Sequence, residues 1–467
     1  MGKDGRSLVL HEPGFARFIE HPNNIDPQSG KDLITTIELD YQDILESALL
    51  RQLEKYEADF GTAILMEVKT GQIKAITNLS KTIKGTYADI ENFGVTRQIE
   101  PGSTFKVASV MAYLEDYNGN INDTIDCKNG KYKFKGASIA TIDHKKLGKV
   151  PIKDAFAHSS NIGIARLITK HYSENPELFI NRLYNFGLGD KSKIDLIGAP
   201  KPDVKFPSDE SWSGVSLPWM SYGYELRLTP LDILTFYNTV ANNGYSVNPH
   251  LGHLLRTGSN LIEISRDEIS HTICSESTIK KIQLLLREVV LTGTGKELNN
   301  LPFSVSGKTG TSVKNYGTKN KHKEYQASFV GFFPSESPQY SCIVLIDSPN
   351  PKIGFYGSQV ALPAFKEIAH NVYIKDGLKW DDGDLKRISS MNYSLKDLLN
   401  NYDNKFPLEY NNEYYPSVVG MHVRDAICFL ENAGYEVIIK GKLGTVKNQY
   451  PKANSKVQKD LAITLFI

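Results

Sequence analysis

With 467 residues the chain is long enough for about two to three domains, each with a full core. Its 54 basic and 53 acidic residues leave a formal charge of +1, which gives no general case for nucleic-acid binding. No apolar run approaches the roughly 18 residues of a membrane helix, and Cys127, Cys274, Cys342 and Cys428 lie far apart without metal-ligand spacing, so neither a metal site nor a disulfide framework is expected.

Residues 1–30 are polar, carry Pro13, Pro22 and Pro27, and read as loop or as the remnant of an N-terminal region. Lys31 to Leu39 alternates toward a strand, and Tyr41 to Tyr56 places Ile44, Leu45, Ala48, Leu49 and Leu53 at helical spacing. Two strand-like runs follow, Thr62–Met66 and Ile73–Ile76. The turn between them, Lys69-Thr70-Gly71-Gln72, reads as a hairpin because glycine supplies the positive φ of a tight turn.

From Ser103 to about Val290 the pattern is mainly helical, with His158-Ser159-Ser160-Asn161 as a loop between two apolar helices. Strand character returns at Val305–Ser312, Ala327–Phe333 and Tyr340–Asp347, and a long helix follows over Val360–Tyr373. Strands at both ends with helices between them predict an α+β (mixed α/β) fold, one mixed sheet covered by helices with a helical subdomain looped out. Residues 379–413, rich in Asp, Asn, Lys and Ser, read as a linker. A small α+β unit over 414–467 is expected to hold a helix at Val423–Ala433 and strands near Val437–Ile439 and Ala462–Ile467.

Pro101-Gly102-Ser103-Thr104-Phe105-Lys106 is the stretch around which the chemistry gathers. Pro and Gly stop the preceding segment, and the apolar spacing from Phe105 to Leu114 predicts a helix starting at Ser103. Lys106 then lies one turn on and on the same face, an amine beside a hydroxyl at a helix start whose free N–H groups favour developing negative charge. A serine nucleophile needs that combination of base and oxyanion donor. Ser-x-x-Lys alone is also compatible with a plain N-cap, and Ser277-Thr278-Ile279-Lys280 reads as one.

Two further short motifs follow in order, Ser159-x-Asn161 in the inter-helix loop and Lys308-Thr309-Gly310-Thr311 on a strand. Copies occur elsewhere: Ser246-x-Asn248, Ser390-x-Asn392 and Lys69-Thr70-Gly71. Only one set has the order Ser-x-x-Lys, Ser-x-Asn, Lys-Thr-Gly with helix start, loop and strand contexts. The set is known from β-lactamases and penicillin-binding proteins. Over residues 31–378 the sequence resembles a class B penicillin-binding protein, through the three motifs and through Phe186–Gly189, Leu228–Leu231, Ala241–Gly244, Ala327–Pro334 and Tyr356-Gly357 leading to Pro363–Lys366. Glu100-Pro101 before Gly-Ser is similar to the division branch of that family. Residues 414–467 resemble a PASTA domain, through Pro416–Met421 and Ala426–Gly434.

The resemblance implies a penicillin-binding transpeptidase fold, largely antiparallel, and a serine D,D-transpeptidase that cross-links peptidoglycan stem peptides, is acylated by β-lactams and needs no cofactor or metal. It implies that Ser103 attacks the donor peptide with Lys106 as base. A free lysine titrates near 10.4, so Lys106 must be lowered by desolvation and by a second cation, for which Lys308 is placed. Ser159 is then a proton relay, and Asn161 binds the substrate amide and holds Lys106. Lys308, Thr309 and Thr311 suit the terminal carboxylate, Gly310 lets substrate approach the strand edge, and oxyanion donors are the N–H groups of Ser103 and near Thr311. His144 and His158 are ordinary side chains in this scheme, and the loop Thr292–Lys296 shapes the rim of the site.

A D,D-carboxypeptidase, a β-lactam-sensing or β-lactam-hydrolysing relative and a non-catalytic wall-binding scaffold remain alternatives. For the PASTA-like unit, ligand binding and mere packing on the catalytic part both stay open. Family members carry a membrane anchor and a pedestal before the catalytic region, so the chain reads as a trimmed piece. The family also implies a place in the cell envelope, on the outer face of the cytoplasmic membrane, beside membrane-bound division and glycan-polymerising partners.

Overall fold

A computed structural model of the chain describes residues 30–137, 140–265, 272–314 and 323–376, with short backbone stretches within 9–26. Of the C-terminal unit it describes 414–421, 423, 426–427, 430, 435–441, 446–457 and 462–466. The linker expected over 379–413 and the Ser390-x-Asn392 copy lie outside the described residues. Within the N-terminal stretch read as loop, Val9–Glu12 pairs antiparallel with Phe15–Phe18.

The chain divides into two compact units, 1–390 and 391–467. The first is built on a six-stranded sheet. Its strands are β1 (Phe60–Glu67), β2 (Ile73–Lys81), β3 (Tyr87–Ala88), β4 (Ser306–Lys314), β5 (Glu324–Phe333) and β6 (Tyr340–Asp347). Their spatial order is β4-β5-β6-β1-β2-β3 and each neighbouring pair is antiparallel. The early and late strands meet where β6 pairs with β1, with Ile343 opposite Ile64 and Cys342 opposite Leu65.

Successive side chains of a strand point to opposite faces, and here both faces are covered. Ile64 and Met66 join the core under the inserted helices, whereas Ala63 and Leu65 pack with α1 (Leu39–Lys55) and α7 (Leu362–Asp376). That double cover explains why Cys342–Ile346 reads as an unbroken apolar run: all eight residues of β6 are buried. On α1 the buried positions Tyr41, Leu45, Ala48, Leu49 and Leu53 form one stripe. Truncating a buried leucine such as Leu45 to alanine costs roughly 2–5 kcal/mol. Gly71 has φ +76°, and a Cβ there would stand 2.6 Å from the Asn248 carbonyl, so the β1–β2 hairpin needs its glycine twice over.

Between β3 and β4 lie α2 (Lys106–Asp116), α3 (Ile152–Ala157), α4 (Asn161–Tyr172), α5 (Pro230–Ala241) and α6 (Glu276–Leu291), among other helices. Short ladders interrupt this helical region: Thr124–Asp126 with Lys149–Pro151, Lys131–Tyr132 with Thr141–Ile142, and Asp203–Val204 with Leu226–Arg227. Strands of two or three residues carry too little alternation to register as a period, so the sequence gives no sign of them. The expected strand near Lys31–Leu39 is Asp32–Thr35, paired with Gly252–Thr257.

In the second unit, Ile463–Phe466 pairs parallel with Val437–Lys440 and antiparallel with Asn448–Tyr450. Tyr415, Val418, Ala426, Leu430, Val446, Ile463 and Leu465 form its core. Val423, Ala426, Ile427 and Leu430 are helical, within the stretch expected as helix.

Candidate active site

The nucleophile candidate sits on a tight turn, not on the first turn of an α-helix as the apolar spacing suggested. Gly102–Phe105 is a 3-10 turn that runs directly into α2 at Lys106. Gly102 has φ +56°, and a Cβ there would press to 3.2 Å on Ser312 and on the Thr311 carbonyl. Glycine therefore lets the turn lie against β4. The turn is held from beneath by Tyr237 on α5, whose hydroxyl donates to the Thr104 carbonyl at 2.8 Å.

Three motifs that are far apart in sequence converge on one serine hydroxyl. The Lys106 amine lies 3.1 Å from Ser103 Oγ, donates to the Ser159 carbonyl at 2.6 Å and lies 3.0 Å from Ser159 Oγ. Lys308 on β4 donates to the same Ser159 Oγ at 2.9 Å and to the Thr309 carbonyl at 3.2 Å. Ser159 holds this bridging place in a left-handed backbone conformation, φ +58°, at the end of the loop after α3.

Both lysines are fully buried. Burial brings the Lys106 amine down to about 7, against a partial upward pull from the Asp143 carboxylate and the Cys127 thiol. Lys308 is lowered well below its ordinary value, by burial first and by the Lys106 charge second. Burial is what lowers Lys106; the second cation expected of Lys308 is not among the causes, and the charge effect between the two falls on Lys308 instead. An amine titrating near neutral pH offers Ser103 a lone pair where an ordinary lysine offers only donors.

Asn161 is the first residue of α4, but its amide does not reach Lys106 among the described residues; the Ser159 carbonyl holds the amine instead. The Ser160 side chain caps α4 by accepting from Gly163 N at 2.9 Å. The residue that fixes this loop is Asp143, which no motif marks. Its carboxylate is buried and accepts from Ser160 Oγ at 2.5 Å and from Asn161 N at 2.8 Å, with Ile162 N at 3.4 Å. A lone aspartate sixteen residues before Ser159 has no periodicity to give it away, since only the folded loop brings the two together.

On β4, Thr309 shares a 2.7 Å hydroxyl–hydroxyl bond with Thr294, and Thr311 Oγ1 accepts from Gly357 N at 2.9 Å. Thr294 also donates its N–H to the Ala157 carbonyl, so the Thr292–Lys296 loop lies beside the motif. Gly310 differs from the sequence argument: a Cβ there would strike Ser328 Oγ at 2.2 Å and Thr104 at 2.9 Å. Its missing side chain makes room for the protein's own β5 and nucleophile turn.

β4 is the end strand of the sheet, and Val313 N–H points off that edge to the Tyr224 hydroxyl at 3.0 Å. By the two-residue period, Thr311 and Thr309 point the same way. His144 packs on the Tyr356 ring, and His158 faces Lys145 at 2.8 Å, with burial and that cation lowering its pKa. Cys342 is core, as its apolar run suggested. The second Ser-x-x-Lys is a helix start capped by Ser275.

Comparison with known proteins places the chain in a family. Residues 61–370 match the family model for the penicillin binding protein transpeptidase domain, and 415–467 match that for the PASTA domain. The probable peptidoglycan D,D-transpeptidase PbpC of Pseudomonas aeruginosa is 28% identical over 79% of this chain and 63% of its own length. Stage V sporulation protein D of Bacillus subtilis is 26% identical over 94% of this chain and 66% of its own. The chain thus spans slightly less than two thirds of these relatives. The transpeptidase domain of Burkholderia pseudomallei penicillin-binding protein 3 superposes with a TM-score of 0.62 at 25% identity, covering 73% of this chain and 96% of that domain.

Proposed function

The chain belongs to the penicillin-binding protein transpeptidase family, and on that premise we propose that it is a serine D,D-transpeptidase of peptidoglycan. The observation that carries the proposal is a fully buried Lys106 amine at 3.1 Å from Ser103 Oγ, with burial bringing its pKa down to about 7. Neutral Lys106 takes the Ser103 proton as Oγ attacks the carbonyl between the last two D-alanines of a stem peptide. The oxyanion rests on the N–H groups of Ser103 and Thr311. Ser159, bridging both lysine amines, relays that proton from Lys106 to the leaving D-alanine amine as the C–N bond breaks, leaving an ester on Ser103 and Lys106 neutral.

The acceptor amine of a second stem peptide then attacks that ester. The ester C–O bond breaks, the acceptor's proton passes through Lys106 to Ser103 Oγ, Lys106 is left neutral again, and a new amide links the two peptides. Lys308, Thr309 and Thr311 receive the donor's terminal carboxylate, Asn161 binds its amide, and the β4 edge receives its backbone as an added strand. A β-lactam enters the first step and stops there, because its acyl group is not released.

We place the reaction in the cell envelope, on the outer face of the cytoplasmic membrane, where peptidoglycan is cross-linked. Residues 31–378 carry the chemistry, and 414–467 form a PASTA-like unit in the same wall context. Glu100-Pro101 supports a role in septal wall synthesis, with membrane-bound division and glycan-polymerising proteins as partners. The test is product analysis with a stem pentapeptide donor and an amine acceptor. A cross-linked peptide with release of D-alanine is expected. Release of D-alanine with only hydrolysed donor would replace the proposal with a carboxypeptidase.

A further inference from the structure

The near-zero net charge hides a strong local asymmetry. Residues 127–153 contain eight lysines and one acidic residue, Asp143, a local charge of +7, so the rest of the chain carries −6 (1 − 7). Lys153 is on α3, and the other seven lie on the short ladders and turns between Cys127 and Pro151. Lys131–Tyr132 pairs with Thr141–Ile142, Cys127 N donates to the Gly148 carbonyl, and Asp143 N donates to the Gly130 carbonyl. The one acidic side chain is turned inward to the Ser159–Asn161 loop.

Lys131, Lys133 and Lys135 are exposed, while Phe134 is buried and Tyr132 half-buried. The two rings meet edge to face at 4.8 Å and pack with Ala165 and Tyr222, giving the lysines a fixed backing. Lys131 is on the two-residue strand and Lys135 in the turn closed by Ala137 N on the Phe134 carbonyl, so three exposed ammonium groups are gathered within five residues. Lys146 and Lys149 are exposed on the returning arm. Among the described residues none of these five lysines has an ion-pair partner, whereas Lys128 is paired with Asp126. The same hairpin touches the site itself, through Asp143 and through Lys145 at 2.8 Å from His158.

We propose that this lysine cluster is a docking surface for an un-cross-linked, peptide-bearing peptidoglycan strand, held by its free stem-peptide carboxylates beside the Ser103 site. The inference rests on the transpeptidase reading for the identity of the polyanion. A cluster of exposed cations attracts a chain of anions and raises its local concentration. The contacts are solvent-exposed, so they weaken with salt.

The experiment is fluorescence anisotropy of the full chain with labelled, soluble, un-cross-linked peptidoglycan strands at low and high salt. The wild type is compared with K131Q/K133Q/K135Q and K131E/K133E/K135E. The glutamine variant should bind about tenfold more weakly at low salt, in line with the lower range of charge-steering effects, and the glutamate variant more weakly still. Strands whose carboxylates have been amidated should bind wild type as weakly as the glutamine variant binds native strands. That arm needs no variant to fold. Unchanged binding by the glutamate variant, or equal binding of native and amidated strands, would overturn the proposal. Acylation by a small fluorescent penicillin is followed in parallel: its absence in wild type would remove the transpeptidase reading, whereas loss of charge-dependent strand binding alone removes only the docking surface.

Discussion

Two stretches of this chain share the pattern Ser-x-x-Lys at a helix start, and their fates are opposite. Lys106 is fully buried, faces Ser103 and Ser159, and is lowered to about 7. Lys280 is exposed and forms an i,i+4 pair with Glu276, while Ser277 lies just inside a helix already capped by Ser275. The spacing is the same in both. What differs is what surrounds it: α2 starts under a sheet edge that supplies Lys308 and beside a loop that supplies Ser159. Chemistry here belongs to the meeting of three elements, and the four-residue pattern only makes one side of that meeting possible.

The difference can be pressed by mutation. Ser103→Ala should abolish acylation by a fluorescent penicillin, a loss on the order of 10⁶-fold as for other nucleophile removals. Ser277→Ala should leave the rate unchanged. A wild-type rate in the first or a collapse in the second would erase the contrast.

Lys106→Met, which keeps the stem and removes the amine, should lower acylation by roughly 10²–10⁴-fold, the range for loss of a general base. It should also stabilise the fold at neutral pH. The folded pKa of Lys106 lies below its unfolded value near 10.5, so the unfolded chain binds more protons between about pH 7 and 10.5 and stability rises with pH across that window. Below pH 7 the burial penalty is fully present, at about 1.4 kcal/mol for each pH unit by which folding lowers the amine. Thermal unfolding at pH 7 should therefore show the variant more stable by roughly a few kcal/mol, with the gap closing toward pH 10. Lys280→Met should show neither effect.

Asp143→Asn probes the same contrast from the side of the supporting loop. It weakens the hold on Ser160 and Asn161 and removes a charge that lifts Lys106. Acylation should fall about tenfold, as for a buried hydrogen bond to a charged group. The midpoint of its pH profile should move below that of the wild type. A fall in rate with an unmoved midpoint would make Asp143 merely structural.

Much of this was legible in the sequence because it depends on local pattern. The strands β1, β5 and β6 announce themselves as apolar runs, α1 by its stripe from Leu45 to Leu53, and the β1–β2 turn by Gly71. The order of the three motifs selected Ser103, Ser159 and Lys308; the fold brings the Lys106 and Lys308 amines together on Ser159 Oγ, with Ser103 Oγ against Lys106. Other features depend on contacts between distant segments. Asp143 has meaning only beside a loop that folds onto it, and Gly310 looked like room for a ligand until Ser328 and Thr104 filled it. Tyr224 caps the β4 edge at Val313 from a segment 89 residues earlier. The 3-10 turn at Ser103 comes from Gly102 lying against β4, which helical spacing does not report.

That burial makes Lys106 the base for Ser103 is tested best by the pH dependence of the penicillin acylation rate. Binding and acylation are separated by following single turnovers from pH 5 to pH 10. The rate should rise tenfold per pH unit below pH 7 and level off near an apparent pKa of about 7, the value burial gives Lys106. A rate that keeps climbing toward pH 10, as an ordinary lysine would dictate, would contradict this role for Lys106.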